Sequence, residues 1–284
     1  MGKLLGIREM VHLEQDREFL FCQLDFDNVR KLLYKKSGIR LADSKDSMVY
    51  SRLARRLRIL KIGSVTEYIN YLEANSSEEQ PFINAMTTNL TSFFREKQHF
   101  PALRDYLEKH PGKRRIWCAA SSSGEEPYSI AMTVAETFGS FVTPVEIIAS
   151  DIDSSVLDKA RKGIYDLNSV TDLSQLQLKK FFHRGTGNNS GKVRVVPEMR
   201  KMVNFKQINL THATWDIKPQ VDVLFCRNVM IYFDKDTQIK ILSQMVKLMP
   251  EDGLYVAGHS ETFTNAGHLV KPLGKTLYRP VKRK

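Results

Sequence analysis

Two adjacent carboxylates, Glu125 and Glu126, follow a run of small residues in the stretch RIWCAASSSGEEPYSIAM (115–132). The apolar residues at its start predict one buried strand, and the three serines with Gly124 predict a tight turn. Pro127 suits a first helical turn, and the spacing of the residues after it predicts a helix. A strand, a turn and a helix N-terminus in this order form the ligand-binding corner of an open α/β sheet.

The acidic turn disfavours the ligand that most often occupies such a corner. A dinucleotide site needs the pattern Gly-x-Gly-x-x-Gly, whose backbone amides hold a pyrophosphate, whereas here Gly124 is the one glycine of the turn. Glu125 and Glu126 repel a phosphate and favour a cationic or hydroxyl-bearing ligand. The sulfonium, amine and ribose of S-adenosylmethionine meet that demand. The alternative interpretation is a capped helix with solvated glutamates.

A second pair of carboxylates ends the next predicted strand. The run VEIIASDI (145–152) predicts a buried strand, and Asp151 and Asp153 stand at its end. An acidic residue at the end of the second strand commonly binds ribose hydroxyls in nucleotide-type sites. Asp151 is therefore the candidate for contact with a ribose.

Three arginines, Arg52, Arg55 and Arg56, share one side of a predicted amphipathic helix. They fall within a sector of roughly 100°, because successive helical residues turn by about 100°. Two interpretations remain open for them. One is a solvated basic face, and the other is a docking surface for an acidic helix or for phosphate.

The elements that must position these residues divide the chain in two. Residues 26–75 have the periodicity of three short amphipathic helices, and 77–86 that of a fourth, with no strand pattern between them. Beyond residue 113, buried strands alternate with helices, which predicts a doubly wound sheet. The remaining predicted elements are helices at 101–110, 154–162, 169–182 and 236–248, an inserted antiparallel hairpin at 183–205, and strands at 206–210, 221–226, 253–258 and 275–279.

Composition limits the class of protein. With 42% hydrophobic and 26% charged residues, the 284-residue chain is typical of soluble globular proteins. It contains no run of 18 apolar residues that predicts a membrane span, and its N-terminus becomes acidic too early for a secretory signal. The widely spaced Cys22, Cys118 and Cys226 predict reduced, buried thiols in a cytoplasmic protein rather than disulfides or a metal site.

The net charge of +11 admits two kinds of partner. A basic chain suits nucleic acid, and it equally suits an acidic protein. The sequence shows no RNA-binding module signature and no lysine-rich tail, and charge alone does not decide between the two partners.

Together these motifs resemble those of the CheR family, the S-adenosylmethionine-dependent methyltransferases that modify chemotaxis receptors. The resemblance covers nearly the whole chain beyond the first 20 residues. The segments that carry it are NLTSFFRE (89–96), CAASSSGEEPYSIAM (118–132), ASDID (149–153), RGTG…GKVRV (184–195), NL (209–210), FCRNVMIYFD (225–234) and GHSE (258–261).

The resemblance implies an α/β fold, with a Rossmann-like methyltransferase domain that carries a small inserted antiparallel β-subdomain and follows an all-helical N-terminal domain. We divide the chain accordingly. The expected parts are a leader (1–20), the helical domain (21–88), a linker that contributes to the cofactor site (89–100), and the methyltransferase domain (101–284) with its insertion at 183–206.

Matching motif by motif, the resemblance also implies the site residues. Arg95 would pair with the methionyl carboxylate of the cofactor, and Asp151 would hold its ribose hydroxyls. Arg227 and Tyr232 would be the catalytic pair near the reacting carboxylate. The implied cofactor-binding set is Asn89, Thr91, Arg95, Glu126, Asp151, Asn209, Leu210, Arg227 and Asn228, with Glu125 as the candidate should the turn register differ by one.

The implied reaction transfers a methyl group from S-adenosylmethionine to the side-chain carboxylates of receptor glutamates, with S-adenosylhomocysteine as the product and no metal. The implied partner is the cytoplasmic region of chemotaxis receptors, so a cytoplasmic enzyme is recruited to the membrane. The basic helix of the family faces the receptor, which assigns Arg52, Arg55 and Arg56 to substrate docking. In some members the β-subdomain binds a pentapeptide at the receptor C-terminus.

Two alternatives from other classes remain. One is a methyltransferase that acts on RNA, which the charge favours but for which no base-stacking motif is evident. The other is a non-catalytic module that binds the cofactor. Such a module is expected to lack Arg95, Asp151, Arg227 or Tyr232, and all four are present.

Overall fold

The computed structural model describes residues 17–281. The chain divides into two compact units, one ending at Thr87 and the other beginning at Thr88. Most of the predicted leader (1–20) lies outside the described residues, and its last four residues form no helix or strand.

The first unit is helical, and the four predicted helices are confirmed. Its core is made by aromatic and aliphatic side chains that are almost fully buried, among them Phe26, Leu53, Tyr68 and Phe82. Gly38 ends the first helix with a φ of 72°, a left-handed conformation that glycine adopts without steric cost. The α-helices described are α1 (Gln23–Ser37), α2 (Asp46–Leu60), α3 (Val65–Ala74) and α4 (Glu79–Met86).

The second unit contains ten strands and six α-helices within the described residues. The strands are β1 (Arg114–Cys118), β2 (Val145–Asp151), β3 (Ile164–Asp166), β4 (Phe182–Arg184), β5 (Lys192–Val195), β6 (Val203–Gln207), β7 (Val223–Cys226), β8 (Leu254–Ala257), β9 (Val270–Gly274) and β10 (Leu277–Pro280). The helices are α5 (His99–Lys109), α6 (Glu125–Thr137), α7 (Ser154–Lys162), α8 (Gln175–Phe181), α9 (Pro197–Lys201) and α10 (Lys235–Lys247).

Seven of these strands form one twisted sheet in the order β6-β2-β1-β7-β8-β10-β9. The first five run parallel, and β10 pairs antiparallel with β8 and β9. The sheet is covered on both faces, because alternate residues of β1 enter different cores. Ile116 and Cys118 pack with α5 and α6, while Trp117 packs with α10. The predicted doubly wound α/β architecture is confirmed.

The topology places a site at one edge of this sheet. β1 has β2 on one side and β7 on the other, so the chain reverses its direction of progress across the sheet beside β1. Ligands of open α/β sheets bind at such a switch point, outside the carboxyl ends of the strands. The segments 119–124, 152–153, 208–210, 227–229 and 258–261 all leave the parallel strands at that edge.

The inserted sheet is antiparallel as predicted, but its boundaries differ from 183–206. It has the order β3-β5-β4 and therefore begins at Ile164 and ends at Val195. The three-residue β3 is too short to give a recognisable pattern. Val203–Gln207 belongs instead to the main sheet, where it pairs parallel with β2.

Two further element boundaries depart from the sequence prediction, and one strand was missed. The helix expected at 169–182 is two pieces, since Ser174 and Gln177 form a capping box that starts α8. The strand expected at 206–210 lies three residues earlier, as β6. Strand β9 was not predicted, because its turn to β10 uses Lys275 and Thr276 at positive φ rather than the usual glycine or asparagine.

Two further sequence expectations concern cysteines and membranes. Cys118 and Cys226 are buried free thiols as predicted, whereas Cys22 is exposed at the N-cap of α1, so the expectation of burial was wrong there. Within residues 17–281, no helix has the length and apolar character needed to cross a bilayer.

Candidate active site

The turn after β1 is built by close packing around Gly124. Its φ is +104°, and a Cβ at this position would lie 2.7 Å from Tyr165 Oη and 2.8 Å from Ala160 Cβ. Only glycine fits, because both the backbone conformation and the space exclude a side chain. Tyr165 Oη also donates to the main-chain oxygen of Ser123 (2.8 Å). The turn is therefore held rigidly against α7 and the inserted sheet.

Asp151, at the end of β2, is tied to that turn by its carboxylate. Oδ2 accepts the amide of Ser122 (2.8 Å), and Oδ1 accepts the amide of Asp153 (3.0 Å). Burial raises the pKa of Asp151 to about 6, although these amide bonds act in the opposite direction. A carboxylate has about four lone-pair positions, so Asp151 retains capacity to accept a hydroxyl.

Asn89 joins this cluster from the segment before α5. Its Nδ2 donates to Asp153 Oδ2 (2.8 Å), and its main-chain oxygen accepts the Ser122 hydroxyl (3.1 Å). Asp153 in turn caps α7 by accepting the amides of Ser155 and Val156. The structure thus brings the predicted residues Asn89 and Asp151 together around Ser122.

Arg227 forms the centre of a second cluster, and its side chain is fully buried. Nη1 donates to Glu126 Oε2 (2.5 Å), and Nη2 donates to the main-chain oxygen of Arg95 (2.6 Å). Nη2 also lies 3.4 Å from Glu96 Oε2. The guanidinium is therefore enclosed by two carboxylates and a carbonyl, and its expected place beside the reacting carboxylate stays a prediction.

The two carboxylates around Arg227 have different environments. Burial raises the pKa of Glu126, while the guanidinium counteracts part of that rise; Cys118 Sγ donates to the same carboxylate (3.3 Å). Burial acts to raise the pKa of Glu96 as well, but there Arg227 and hydrogen bonds prevail and lower it. Glu126 was predicted to bind the cofactor; its side chain contacts Arg227, and its cofactor contact stays a prediction.

The segment that precedes α5 is held in a strained conformation. Phe94 and Glu96 have positive φ values of 50° and 56°, which are uncommon for residues other than glycine. The Phe94 amide donates to Ser129 Oγ of α6 (2.9 Å). Arg95 itself is half-buried, and its Nη1 donates to the main-chain oxygen of Leu90 (2.9 Å). Thr91 in the same segment is half-buried.

The remaining predicted residues follow β6 and β7 at the same edge. Asn209 Oδ1 accepts the amide and the hydroxyl of Thr211 (3.0 and 2.7 Å), and Leu210 is buried. Asn228 has a φ of 58°, and its Nδ2 lies 3.4 Å from Glu96 Oε1. Tyr232 is half-buried in a short 3₁₀ helix, Met230–Tyr232.

The three arginines predicted to dock the substrate lie in the helical unit and have different surroundings. Arg52 Nη1 donates to the main-chain oxygens of Met86 (2.8 Å) and Thr87 (2.9 Å). Arg56 is paired with the buried Glu78 through two hydrogen bonds (2.9 and 2.6 Å). Arg55 is exposed.

Sequence reasoning did not assign several residues that build this edge. Ser122, Glu96 and Asp153 hold predicted residues in place; of these, Asp153 was noted as one of the two carboxylates after the strand but was given no role. Glu96 and Asp153 are parts of the segments NLTSFFRE and ASDID, and they stand next to assigned positions. A search for neighbours of candidate residues within such motifs would have found them.

The donor set at this edge suits S-adenosylmethionine. Asp151 can accept ribose hydroxyls, the amides of Asn89 and Asn209 can donate and accept, and Arg95 offers a guanidinium for a carboxylate. Glu125 and Glu126 at the start of α6 oppose a phosphate at the same corner. Within the described part of the chain, no group of three or more His, Cys, Asp or Glu side chains is arranged to hold a metal ion.

Comparison with known proteins agrees with this architecture. The family model described as "CheR methyltransferase, SAM binding domain" matches residues 89–278, and "CheR methyltransferase, all-alpha domain" matches residues 24–87. Chemotaxis protein methyltransferase 2 of Pseudomonas aeruginosa is 53% identical over 268 residues, which cover 93% of this chain and 96% of the relative. The chemotaxis protein methyltransferase of Salmonella typhimurium is 46% identical over 276 residues, 96% of each chain.

Proposed function

The chain belongs to the CheR methyltransferase family, and from this premise we propose that it methylates glutamate side chains of chemotaxis receptors. The methyl donor is S-adenosylmethionine, and the products are glutamate methyl esters and S-adenosylhomocysteine. The observation that carries this proposal is the match of both units to relatives named chemotaxis protein methyltransferase, over nearly their full length.

The cofactor is proposed to lie at the carboxyl edge of the sheet. Asp151 accepts the ribose hydroxyls there, and the half-buried Arg95 pairs with the methionyl carboxylate. Asn89, Thr91, Asn209, Leu210 and Asn228 complete the contacts. Supporting this assignment, the carboxylate of Asp151 is fixed by two backbone amides and so needs little reordering when a hydroxyl binds. Residues 89–100 thereby act as a linker that contributes to the site.

The reaction requires that the acceptor carboxylate be positioned, but it requires no general base, because an acceptor glutamate is already ionised at pH 7. S-adenosylmethionine, when bound, supplies an electrophilic methyl group on a sulfonium. The task of the protein is to exclude water and to align the acceptor oxygen, which is worth up to roughly 7–11 kcal/mol in favourable cases. Rigid turns around Ser122 and Gly124 serve such alignment.

Arg227 and Tyr232 divide this task in our proposal. Tyr232 is half-buried, and its hydroxyl donates a hydrogen bond to the acceptor carboxylate. This hydrogen bond orients the carboxylate. Arg227 is fully buried and bonded to Glu126 and to the carbonyl of Arg95, so it acts as a positioning residue that joins the start of α6 to the segment before α5.

Two surfaces are proposed to meet the receptor. Arg55 on α2 is exposed and offers a positive charge to an acidic receptor helix. The inserted sheet leaves β3 and β4 at its edges, and an extended receptor C-terminal peptide can pair with such an edge. Each surface can be tested by itself, the first by changing the arginine and the second by truncating the receptor C-terminus.

The decisive experiment is transfer of a labelled methyl group to a cytoplasmic receptor fragment, with RNA tested in parallel. We expect labelled receptor whose label is released by mild base, because carboxyl esters hydrolyse whereas N-methyl groups do not. Labelled RNA with unlabelled receptor would favour the RNA methyltransferase. Cofactor binding without transfer to either would favour the non-catalytic module.

A further inference from the structure

Glu261 is a buried carboxylate that the proposed chemistry does not use. It is 4% exposed and lies in the loop that follows β8. Oε1 accepts the amides of Val229 (2.9 Å) and Met230 (2.8 Å), and Oε2 accepts the amide of Gly258 (2.6 Å). One side chain thus joins the loops that leave two neighbouring parallel strands, β7 and β8.

Two of these amides belong to the start of the 3₁₀ helix Met230–Tyr232. Val229 is its N-cap and Met230 its first residue, and amides at a helix start have no partner within the helix. The helix is closed by the Tyr232 amide, which donates to the main-chain oxygen of Val229 (3.1 Å). Glu261 therefore fixes the first turn of the element that carries Tyr232.

The two loops are also packed as closely as backbone allows. A Cβ at Gly258 would lie 2.5 Å from Asn228 Nδ2, and 2.8 Å from both the Asn228 amide and Glu261 Oε2. Asn228 has a φ of 58°, a conformation that persists only where its surroundings hold it. The absence of a side chain at position 258 supplies such surroundings.

We propose that Glu261 is a positioning residue for methyl transfer, which holds the helix of Tyr232 in register with the acceptor without contacting either substrate. This inference rests on the proposed function, because Tyr232 has its role only if a receptor carboxylate is the acceptor. A carboxylate suits the position because it accepts with both oxygens. Glutamine has the same shape but places an NH₂ group against a backbone N–H.

The test compares the full-length wild-type chain with E261Q and with a matched control, D222N. Asp222 also joins two neighbouring strands, since its Oδ2 accepts the amide of Arg115 (2.7 Å), but it lies at the amino ends of β1 and β7. For E261Q we expect kcat to fall about 10- to 100-fold, as for small displacements at a reacting centre. The affinity for S-adenosylhomocysteine should stay within about threefold, and D222N should keep the wild-type kcat.

A double-mutant cycle with Tyr232→Phe separates positioning from general destabilisation. If Glu261 acts through Tyr232, the Tyr232→Phe substitution should lower kcat much less in E261Q than in the wild type. D222N should leave the Tyr232→Phe effect unchanged. Independent effects of E261Q and Tyr232→Phe, which multiply in kcat, would overturn the proposal.

Amide hydrogen exchange provides a readout that does not depend on the reaction. We expect the amides of Val229 and Met230 to exchange at least tenfold faster in E261Q, and to be unaffected in D222N. If the wild-type chain methylates no receptor, the proposed function fails, while exchange still shows whether Glu261 holds this helix. Should E261Q not fold, E261D keeps the charge but is one methylene shorter. Unchanged exchange and kcat in E261D would contradict the proposal.

Discussion

Two arginine–glutamate pairs, one in each unit, show how the same chemistry serves different ends. Arg227 and Glu126 pair in the α/β unit with side chains 0% and 8% exposed. Arg56 and Glu78 pair in the helical unit with side chains 17% and 5% exposed. The sequence assigned both arginines to contact with substrate, and in the structure each binds a glutamate of its own unit.

The difference lies in what each pair holds. Arg56 joins α2 to Glu78, which also accepts the Tyr68 hydroxyl (2.9 Å), so this cluster ties regular helices together. Arg227 instead joins the first turn of α6 to two irregular segments, which contain Glu96 and Asn228 at positive φ. Strained backbone needs surroundings that determine it fully. We therefore expect loss of Arg227 to affect both stability and cofactor binding, and loss of Arg56 to affect stability alone.

The largest effect should follow from Arg227→Met. It leaves the carboxylates of Glu126 and Glu96 buried without their cation, and breaking a buried pair in this way costs about 3–5 kcal/mol. We expect urea unfolding to show this decrease in the free energy of unfolding. We also expect calorimetry to show that S-adenosylhomocysteine no longer binds. Arg227→Lys is the control that keeps the charge, and it should recover part of both. Normal stability and affinity with lost turnover would instead place Arg227 at the acceptor.

A smaller effect should follow from Arg56→Met. Glu78 keeps its hydrogen bond from Tyr68 but loses two charge-assisted hydrogen bonds. The free energy of unfolding should therefore fall by about 1–3 kcal/mol. The affinity for S-adenosylhomocysteine should not change. The double variant with Glu78→Met should recover part of the stability, because no unpaired carboxylate remains but the buried Tyr68 hydroxyl loses its acceptor. Weakened cofactor binding in Arg56→Met would erase the contrast between the two pairs.

How much of this could be predicted from sequence depends on the distance over which a residue finds its partner. Asp151 was placed correctly at the end of its strand, because that prediction needs only the local apolar pattern of 145–152. The partner of Arg227 is 101 residues away, and that of Arg56 is 22 residues away. No local pattern in the sequence shows that either arginine is paired with a glutamate.

The same reasoning explains the missed elements. Strand β3 has three residues and pairs with β5 about 28 positions later, so neither its length nor its neighbours reveal it. Glu261 stands in a motif that was recognised, GHSE, but its three amide partners become visible only when β7 and β8 lie side by side. The family resemblance supplied the fold and the candidate residues, and the structure supplied their contacts.

A third prediction concerns pH and follows from Asp151, whose pKa burial raises to about 6. Above that pH the ionised carboxylate can accept ribose hydroxyls; below it the proton weakens these bonds. Affinity for S-adenosylhomocysteine should therefore fall as pH drops through 6, by up to tenfold per pH unit, or about 1.4 kcal/mol. Calorimetry between pH 5 and 8 measures this. Asp151→Asn should bind weakly, with little dependence on pH.

The linked effect on stability has the opposite direction. Because the folded-state pKa of Asp151 lies above its usual value of 3.8, the folded chain binds this proton more tightly than the unfolded chain. The contribution of Asp151 to stability therefore declines as pH rises from about 4 to about 6. When pH is lowered below about 6, the cofactor affinity should therefore fall while the contribution of Asp151 to stability rises. Such opposite changes would show that the titration acts at the site and not through unfolding.

The smallest effect should come from Arg55, the exposed member of the three arginines on α2. Reversing all three would confuse docking with folding, since Arg52 and Arg56 make contacts inside the helical unit. Arg55→Glu alone should leave stability, kcat and cofactor affinity unchanged. It should raise the KM for a receptor fragment by up to about fivefold, because exposed pairs contribute only about 0.2–1 kcal/mol. The difference in KM between Arg55→Glu and the wild type should vanish at 1 M salt, where the Debye screening length is about 3 Å.

The matched control for Arg55→Glu is Lys31→Glu, which makes the same change of charge at an exposed position on α1 of the same unit. If α2 docks the receptor, Lys31→Glu should alter KM much less at low salt. An equal rise in both variants would mean that the receptor responds to the overall positive charge of the chain rather than to this helix. In that case Arg55 would be a solvated surface residue, and both arginine clusters would serve only the interior of their units.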